Sequence, residues 1–292
     1  MICHLPTLFD LQEIRVKLSL SVRVAESFSN KRVVDIELPD LVVIARDAGY
    51  EALCMRASMV GTHSPAERVK EVHEILSANA LPVSMVTADF AVPENKSEGP
   101  ACLRNITPHL DLAEALACDL IRVCIKEHLD IPFARRSADE AAERGIRLAH
   151  QSHTQSMFET VEGTLEVLDR IDNPNFGLIY EPANLALCGE DYGPDAIRRF
   201  SSHLFNVYLQ NHTPDPEGDR PMETFSRGRV MSSLHPFESQ DGIDFESVFR
   251  GLRGIGYDGY VTVHHAFGGS VAPEDAAMNS ARFLLCQIES GN

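Results

Sequence analysis

The sequence predicts a single (β/α)8 TIM barrel over residues 1–292. Three observations carry that expectation. Short apolar runs alternate with helix-like segments down most of the chain, eight such runs are found, and no linker rich in Pro, Gly or Ser divides them. A chain of 292 residues that is 44% hydrophobic also has material for a sizeable core without disulfide or metal staples.

The first strand is expected at Arg15–Val22, and the turn signal Ala48-Gly49-Tyr50 leads into the second at Ala52–Arg56. A helix follows over Ser64–Ala78, with Ser64 as N-cap, Pro65 at its first position and Glu67 completing a capping box. Val69, Val72 and Leu76 share one face of it. The third strand falls at Pro82–Val86, an irregular stretch at Ala91–Pro100, and the fourth strand at Leu120–Ile125. Arg144-Gly145 marks a helix end before the fifth strand, Ile146–His150, and Gly177–Glu181 is the sixth. After the seventh, Phe205–Gln210, the stretch Thr213–Gly242 is too long for a simple connection, so a functional loop covering one end of the sheet is expected. Ile255-Gly256-Tyr257-Asp258-Gly259 turns into the eighth strand, Tyr260–His264.

Composition excludes several classes of function. A net charge of -17, from 43 acidic and 26 basic side chains, opposes a phosphate backbone, so no nucleic-acid partner is expected. The basic scatter at Arg135, Arg136, Arg144 and Arg147 is diluted by Asp139, Glu140 and Glu143 and reads as a solvated helix face. Seven cysteines, with no C-x-x-C pair, fit a reducing compartment. The first residues lack the cationic and apolar regions of a signal peptide, and no stretch approaches the ~18 apolar residues of a membrane span. A cytoplasmic protein without a membrane partner is expected.

In a barrel, chemistry sits where strands end at the C-terminal face. Four strand ends carry dense polar residues: His150-Gln-Ser-His153, Glu181-Pro-Ala-Asn184, Tyr208-Leu-Gln-Asn-His212 and Thr262-Val-His-His265. Because strand side chains alternate, Gln151 with His153, Glu181, Tyr208 with Gln210 and His212, and Thr262 with His264 share the inward side, while His150 and His265 face the helices. An acid closing the apolar run Gly-Leu-Ile-Tyr is costly to bury without a partner, which singles out Glu181. His63, after the second strand, reads as a surface residue of its loop. Arg56, ending the second strand, either holds a carboxylate, phosphate or sugar oxygen or makes an ion pair at the rim.

At these residues the sequence resembles the xylose isomerase-like TIM barrels, a superfamily of sugar isomerases, epimerases and dehydratases. Pro39–Tyr50, Gly145–His153, Gly177–Leu185, Asn206–His212 and Gly256–His264 carry the resemblance in order and spacing. It implies one divalent metal held by Glu, Asp, His and Glu at the ends of strands five to eight. The matching positions here are Gln151, Glu181, Tyr208 and His264, and Asn184 stands where the family often has a substrate-binding or ligating His. The implied site has Glu181 and His264 as catalytic residues, and Gln151, Glu181, His212 and His264 around Mn, Co, Fe or Zn. Arg56, His153, Asn184, Tyr208 and Gln210 would bind substrate.

The resemblance implies first a metal-assisted isomerase or epimerase of a small sugar or polyhydroxylated carbonyl compound, working by proton abstraction next to a carbonyl. With Gln151 and His264 in place of flanking carboxylates, one main proton-transfer residue remains, and this favours the alternative of a lyase or dehydratase eliminating from a keto-sugar, inosose or oxidised glycoside. The third reading is a non-catalytic barrel that binds a sugar or a partner. An endonuclease needs more metal ligands than these strand ends offer. Relatives of this kind also imply a homo-oligomer or a small partner subunit.

Overall fold

The computed structural model describes residues 16–27, 30–88, 98–265 and 271–289. Eight parallel strands close into a barrel: β1 (Lys17–Ser21), β2 (Ala52–Met55), β3 (Val83–Thr87), β4 (Leu120–Val123), β5 (Arg147–Gln151), β6 (Phe176–Tyr180), β7 (Leu204–Leu209) and β11 (Tyr260–Val263). Closure is made by β1 pairing with both β2 and β11, with Ser19 opposite Ala52 on one side and Thr262 on the other. Each expected strand overlaps its observed counterpart, and Arg15 lies outside the described residues.

Helices α1 (Leu38–Ala48), α2 (Ala66–Ala78), α3 (Ala101–Arg104), α4 (Thr107–Ala115), α5 (Ile131–Glu143) and α6 (Val161–Ile171) cover the first part of the barrel. Then come α7 (Pro182–Cys188), α8 (Pro194–Phe200), α9 (Phe245–Gly254) and α10 (Pro273–Glu289). Gly49, Gly145 and Gly256 follow helix ends with φ of 88°, 68° and 66°, the left-handed region where a β-carbon is costly. The capping box expected at Ser64 does not form. Helix α2 starts one turn-step later with Pro65 as N-cap, because the Ser64 hydroxyl turns back to accept the Gly61 N–H at 3.1 Å.

Two layers of core result. The larger packs the outer strand faces against the helices, through residues such as Leu18, Leu53, Leu148, Leu178 and Val261. The smaller fills the barrel axis with Cys54, Met85, Leu120, Ala149, Ile179 and Tyr208. Below it lie small polar pairs, Ser19 Oγ to Ser84 Oγ at 2.6 Å and Thr262 Oγ1 donating to Asn206 Oδ1 at 3.1 Å.

The long segment after β7 folds as a three-stranded antiparallel sheet of β8 (His212–Pro214), β9 (Arg220–Thr224) and β10 (Gly228–Leu234) in the order β8-β10-β9. Residues of β9 and β10 roof the C-terminal mouth of the barrel, as the sequence predicts for this stretch. The β9–β10 turn is tethered from below. Glu159, before α6, accepts the backbone N–H groups of Phe225 and Ser226, each at 2.7 Å. Part of the irregular stretch Ala91–Pro100 lies outside the described residues. The six cysteines among the described residues are free thiols, and no helix there is long and apolar enough to cross a membrane.

Candidate active site at the barrel mouth

Alternation along the strands builds the site. Two residues beyond five of the six members of the axial layer, a side chain again points inward: Arg56 after Cys54, Arg122 after Leu120, Gln151 after Ala149, Glu181 after Ile179 and Gln210 after Tyr208. His264 stands likewise two beyond Thr262. All of these but Glu181 line a cavity of about 470 Å³ under the β9–β10 roof, where Asp219, Arg220, Pro221 and Met222 face them. A cavity of that size accommodates a small metabolite.

Glu181 is fully buried and sits immediately before α7, whose Pro182 fixes the turn out of β6. Its carboxylate is caged by carboxamides: Gln151 Nε2 and Asn184 Nδ2 donate to Oε2, the latter at 2.8 Å, and Gln210 Nε2 donates to Oε1. Burial lifts the carboxyl to about 7, against the pull of these hydrogen bonds and of the Arg122 charge. The Oε1 atom of Gln151 is buried with no hydrogen-bond partner among the described residues. It is a buried acceptor left unanswered beside the cavity.

His264 is partly buried, with Nδ1 3.0 Å from Ser21 Oγ and its ring stacked on Tyr208 at 4.2 Å between centroids. Burial, then the charges of Arg56, Arg122, Arg23 and Lys31, hold it well below its ordinary 6.5, so the imidazole is neutral near pH 7. His153 lines the cavity with Nδ1 2.8 Å from Thr154 O, and burial and Arg122 bring it down to about 4. His150 and His265 face outward as the alternation predicts. The first stacks on Phe158 and the second packs edge-on against Phe237. His63 is exposed in its loop.

One expected position needs correction. Tyr208 does not line the cavity: it is fully buried in the axial layer with its hydroxyl 3.1 Å from Cys54 Sγ, and it supports His264 from beneath. His212, on β8, lines the same cavity, with Nε2 2.7 Å from Ser232 Oγ.

Arg56 makes the ion pair foreseen for it and stands where it could meet a ligand. Its Nε is 2.7 Å from Glu26 Oε1, and it lines the cavity. Three further cations on the same wall were missed from the sequence: Arg23, just beyond β1, Arg122 on β4, and Lys31. For Arg122 a signal exists, since a charge inside the apolar run Leu-Ile-Arg-Val-Cys-Ile invites the same desolvation argument that picks out Glu181. The strand ends thus divide the mouth into a cationic wall from β1, β2 and β4 and a caged carboxylate from β5, β6 and β7.

The residues present do not fit the divalent metal implied by the resemblance. Both Glu181 oxygens accept amide N–H groups, the Gln151 amide is turned to Glu181 as a donor, and the Tyr208 hydroxyl faces Cys54. Among the described residues no three His, Cys, Asp or Glu side chains are grouped to hold a metal ion. Guanidinium groups on the opposing wall add repulsion for any cation.

Comparison with known proteins agrees with this geometry at the level of the fold. An inosose dehydratase of Clostridium perfringens is 23% identical over 147 residues, 49% of each protein, so the chain spans about half the length of the curated relatives it matches. The probable 3-DHS dehydratase AsbF of Bacillus anthracis superposes with a TM-score of 0.69 at 16% identity, covering 92% of this chain and 99% of that one. A zinc-bound IOLI protein gives 0.69 at 14% identity, with 94% and 99% covered. Residues 42–285 match the sequence family described as the xylose isomerase-like TIM barrel. With that match over most of its length and the closed eight-stranded barrel, the chain belongs to the xylose isomerase-like TIM barrel family.

Proposed function

We propose that the protein is a lyase that eliminates water from a small polyhydroxylated carbonyl compound, with Glu181 as the general base. The observation that carries this is a buried carboxylate directly behind the carboxamides that line the cavity, lifted to about 7, with no second carboxylate at positions 151 or 264. A base whose pKa lies near the working pH suits proton abstraction. Glu181 takes the proton from the carbon next to the carbonyl, and the C–H electron pair forms the enolate. Collapse of the enolate expels the β-hydroxyl, which takes up a proton and departs as water, leaving an unsaturated ketone. The amides of Gln151, Asn184 and Gln210 hold the carboxylate in one orientation throughout, and the unanswered acceptor Gln151 Oε1 suits a substrate hydroxyl. The similarity to an inosose dehydratase supports the same class of reaction.

The isomerase or epimerase reading stands second. His264 favours it, because a neutral imidazole at the mouth is a second group able to carry a proton. The two are separated by incubating the protein with an inosose and with other keto-polyols in heavy water. Elimination gives the ultraviolet absorbance of an unsaturated ketone, reduced by about 10²- to 10⁴-fold in Glu181→Gln. Solvent deuterium entering the substrate without elimination would replace the lyase reading by the isomerase one.

A further inference from the structure

We infer that His264 presents Nε2–H to the cavity and donates it to the carbonyl oxygen of the substrate, and that Ser21 is the positioning residue which fixes this tautomer through Nδ1. The inference deepens the elimination reading and rests on it for the identity of the oxygen that receives the hydrogen bond.

The tautomer follows from the protons around Ser21, the last residue of β1. Its Oγ accepts the backbone N–H of Arg23 at 3.2 Å, lies 3.0 Å from His264 Nδ1 and is also hydrogen-bonded to Cys54. A hydroxyl has one hydrogen and two acceptor positions, and a backbone N–H can only donate, so Arg23 fills one of the two. The Ser21 hydrogen then goes either to Nδ1 or to the sulfur. Behind Cys54 stands the Tyr208 hydroxyl, fully buried and 3.1 Å from Sγ. An O–H left undonated at that depth is costly, so Tyr208 donates to the sulfur and the thiol hydrogen turns to Ser21. With both of its acceptor positions filled, Ser21 points its hydrogen at Nδ1. Nδ1 is thereby an acceptor, and the one ring proton of a neutral imidazole resides on Nε2. The ring is also held flat on Tyr208, with 8° between the two planes. Among the described residues Nε2 makes no hydrogen bond, while His264 lines the cavity.

The backbone N–H of His264 donates to Leu209 O at 2.9 Å, which sets His264 beside Gln210 on the neighbouring strand, and Gln210 Nε2 in turn donates to Glu181 Oε1. In strand order the mouth thus carries a donor, a carboxamide and the caged carboxylate. Adjacent strands lie about 4.8 Å apart, so a compound of a few carbons reaches from the base at its α-carbon to the donor at its carbonyl oxygen. As Glu181 removes the proton, negative charge grows on that oxygen, and an imidazole N–H aimed at it stabilises the enolate while keeping its own proton. In this tautomer Nε2 has no lone pair with which to accept a proton, so His264 cannot be the second base of an isomerase or epimerase.

The test is nitrogen-15 NMR of the intact protein labelled in histidine, with the His264 signals identified by their absence in His264→Phe, or in His264→Gln if the first variant does not fold. Near neutral pH a pyridine-type Nδ1 and a protonated Nε2 are expected. Ser21→Ala is expected to move the Nδ1 signal to the position of an unbonded nitrogen, and Ser21→Thr, which restores the hydroxyl, to return it. Saturation with an inosose is expected to shift the Nε2 proton downfield, whereas myo-inositol, which lacks the carbonyl, should leave it in place. His264→Phe keeps an aromatic ring over Tyr208 and should lower kcat for elimination by about 10²- to 10³-fold, with KM within a few-fold. The inference is overturned by a proton on Nδ1, by protons on both nitrogens, by an Nδ1 signal unmoved in Ser21→Ala, by equal or absent responses to the two ligands, or by unchanged turnover in His264→Phe. Glu181-dependent elimination with the proton on Nδ1 would remove this inference alone. An Nε2 proton that answers the inosose in a parent that neither eliminates nor exchanges would remove the lyase reading alone.

Discussion

Replacing Glu181 by Gln tests the electrostatics of the site without any substrate. Gln has the shape of the protonated acid, and the unpartnered Gln151 Oε1 can rotate to receive the new amide N–H. A carboxyl raised from its ordinary 4.5 to about 7 in the folded state makes stability fall with pH. Below 4.5 both states hold the proton. Between 4.5 and 7 the unfolded chain releases it while the folded protein retains it, and above 7 the full penalty persists. At 1.36 kcal/mol per pKa unit, the penalty is about 3 kcal/mol, or about 6 °C in melting temperature for a protein of this size. The assay is urea unfolding of parent and variant from pH 4.5 to 8.5. Other carboxylates titrate in both proteins and cancel in the difference. The variant should gain on the parent by about 3 kcal/mol across this range, nearly all of it between pH 4.5 and 7. A difference constant to within about 0.5 kcal/mol would show that Glu181 ionises as it does in water and would refute the reasoning.

Three further outcomes are expected. Glu159→Ala should free the β9–β10 turn, because two charge-assisted hydrogen bonds of 2.7 Å are lost. Hydrogen exchange at the Phe225 and Ser226 amides should rise by about 10²-fold, corresponding to about 3 kcal/mol of local tethering. Gly242→Ala should destabilise by about 2 kcal/mol or more, since its β-carbon would lie 1.8 Å from Asn211 Oδ1, which already accepts the Ile243 N–H; an unchanged urea midpoint would contradict it. Tyr208→Phe should cost about 1 kcal/mol for the lost contact with Cys54 and leave turnover within a few-fold, because the ring that supports His264 is kept. A loss of turnover by about 10²-fold or more would return Tyr208 to the substrate side.

Much of the fold is legible in the sequence because strands and their inward side chains obey period two. That rule alone carries Gln151, Glu181, Gln210 and His264 to one mouth and sends His150 and His265 the other way. It fails for Tyr208 because an inward side chain is not always in the uppermost layer, and nothing in Val207-Tyr208-Leu209 reveals its depth. It holds even for His212, which lines the cavity although β8 begins a separate sheet at that residue. Arg23 and Lys31 lie beyond the end of β1, where no periodicity places a side chain. The roof was foreseeable as a covering segment from its length, but its strand order depends on contacts such as Met222 with Val230 that no local signal announces.

A cavity whose sign opposes that of the molecule around it changes how a ligand arrives. An incoming anion first meets the repulsive field of a surface carrying -17, and feels the buried cations only on entering the mouth. Mobile ions screen exposed charge over about 8 Å at physiological strength, but penetrate a roofed cavity poorly. Added salt therefore lowers the approach barrier more than it weakens the seat. Any anion that seats there is expected to be captured faster as ionic strength rises, the reverse of the behaviour of enzymes that draw their substrates in from a distance.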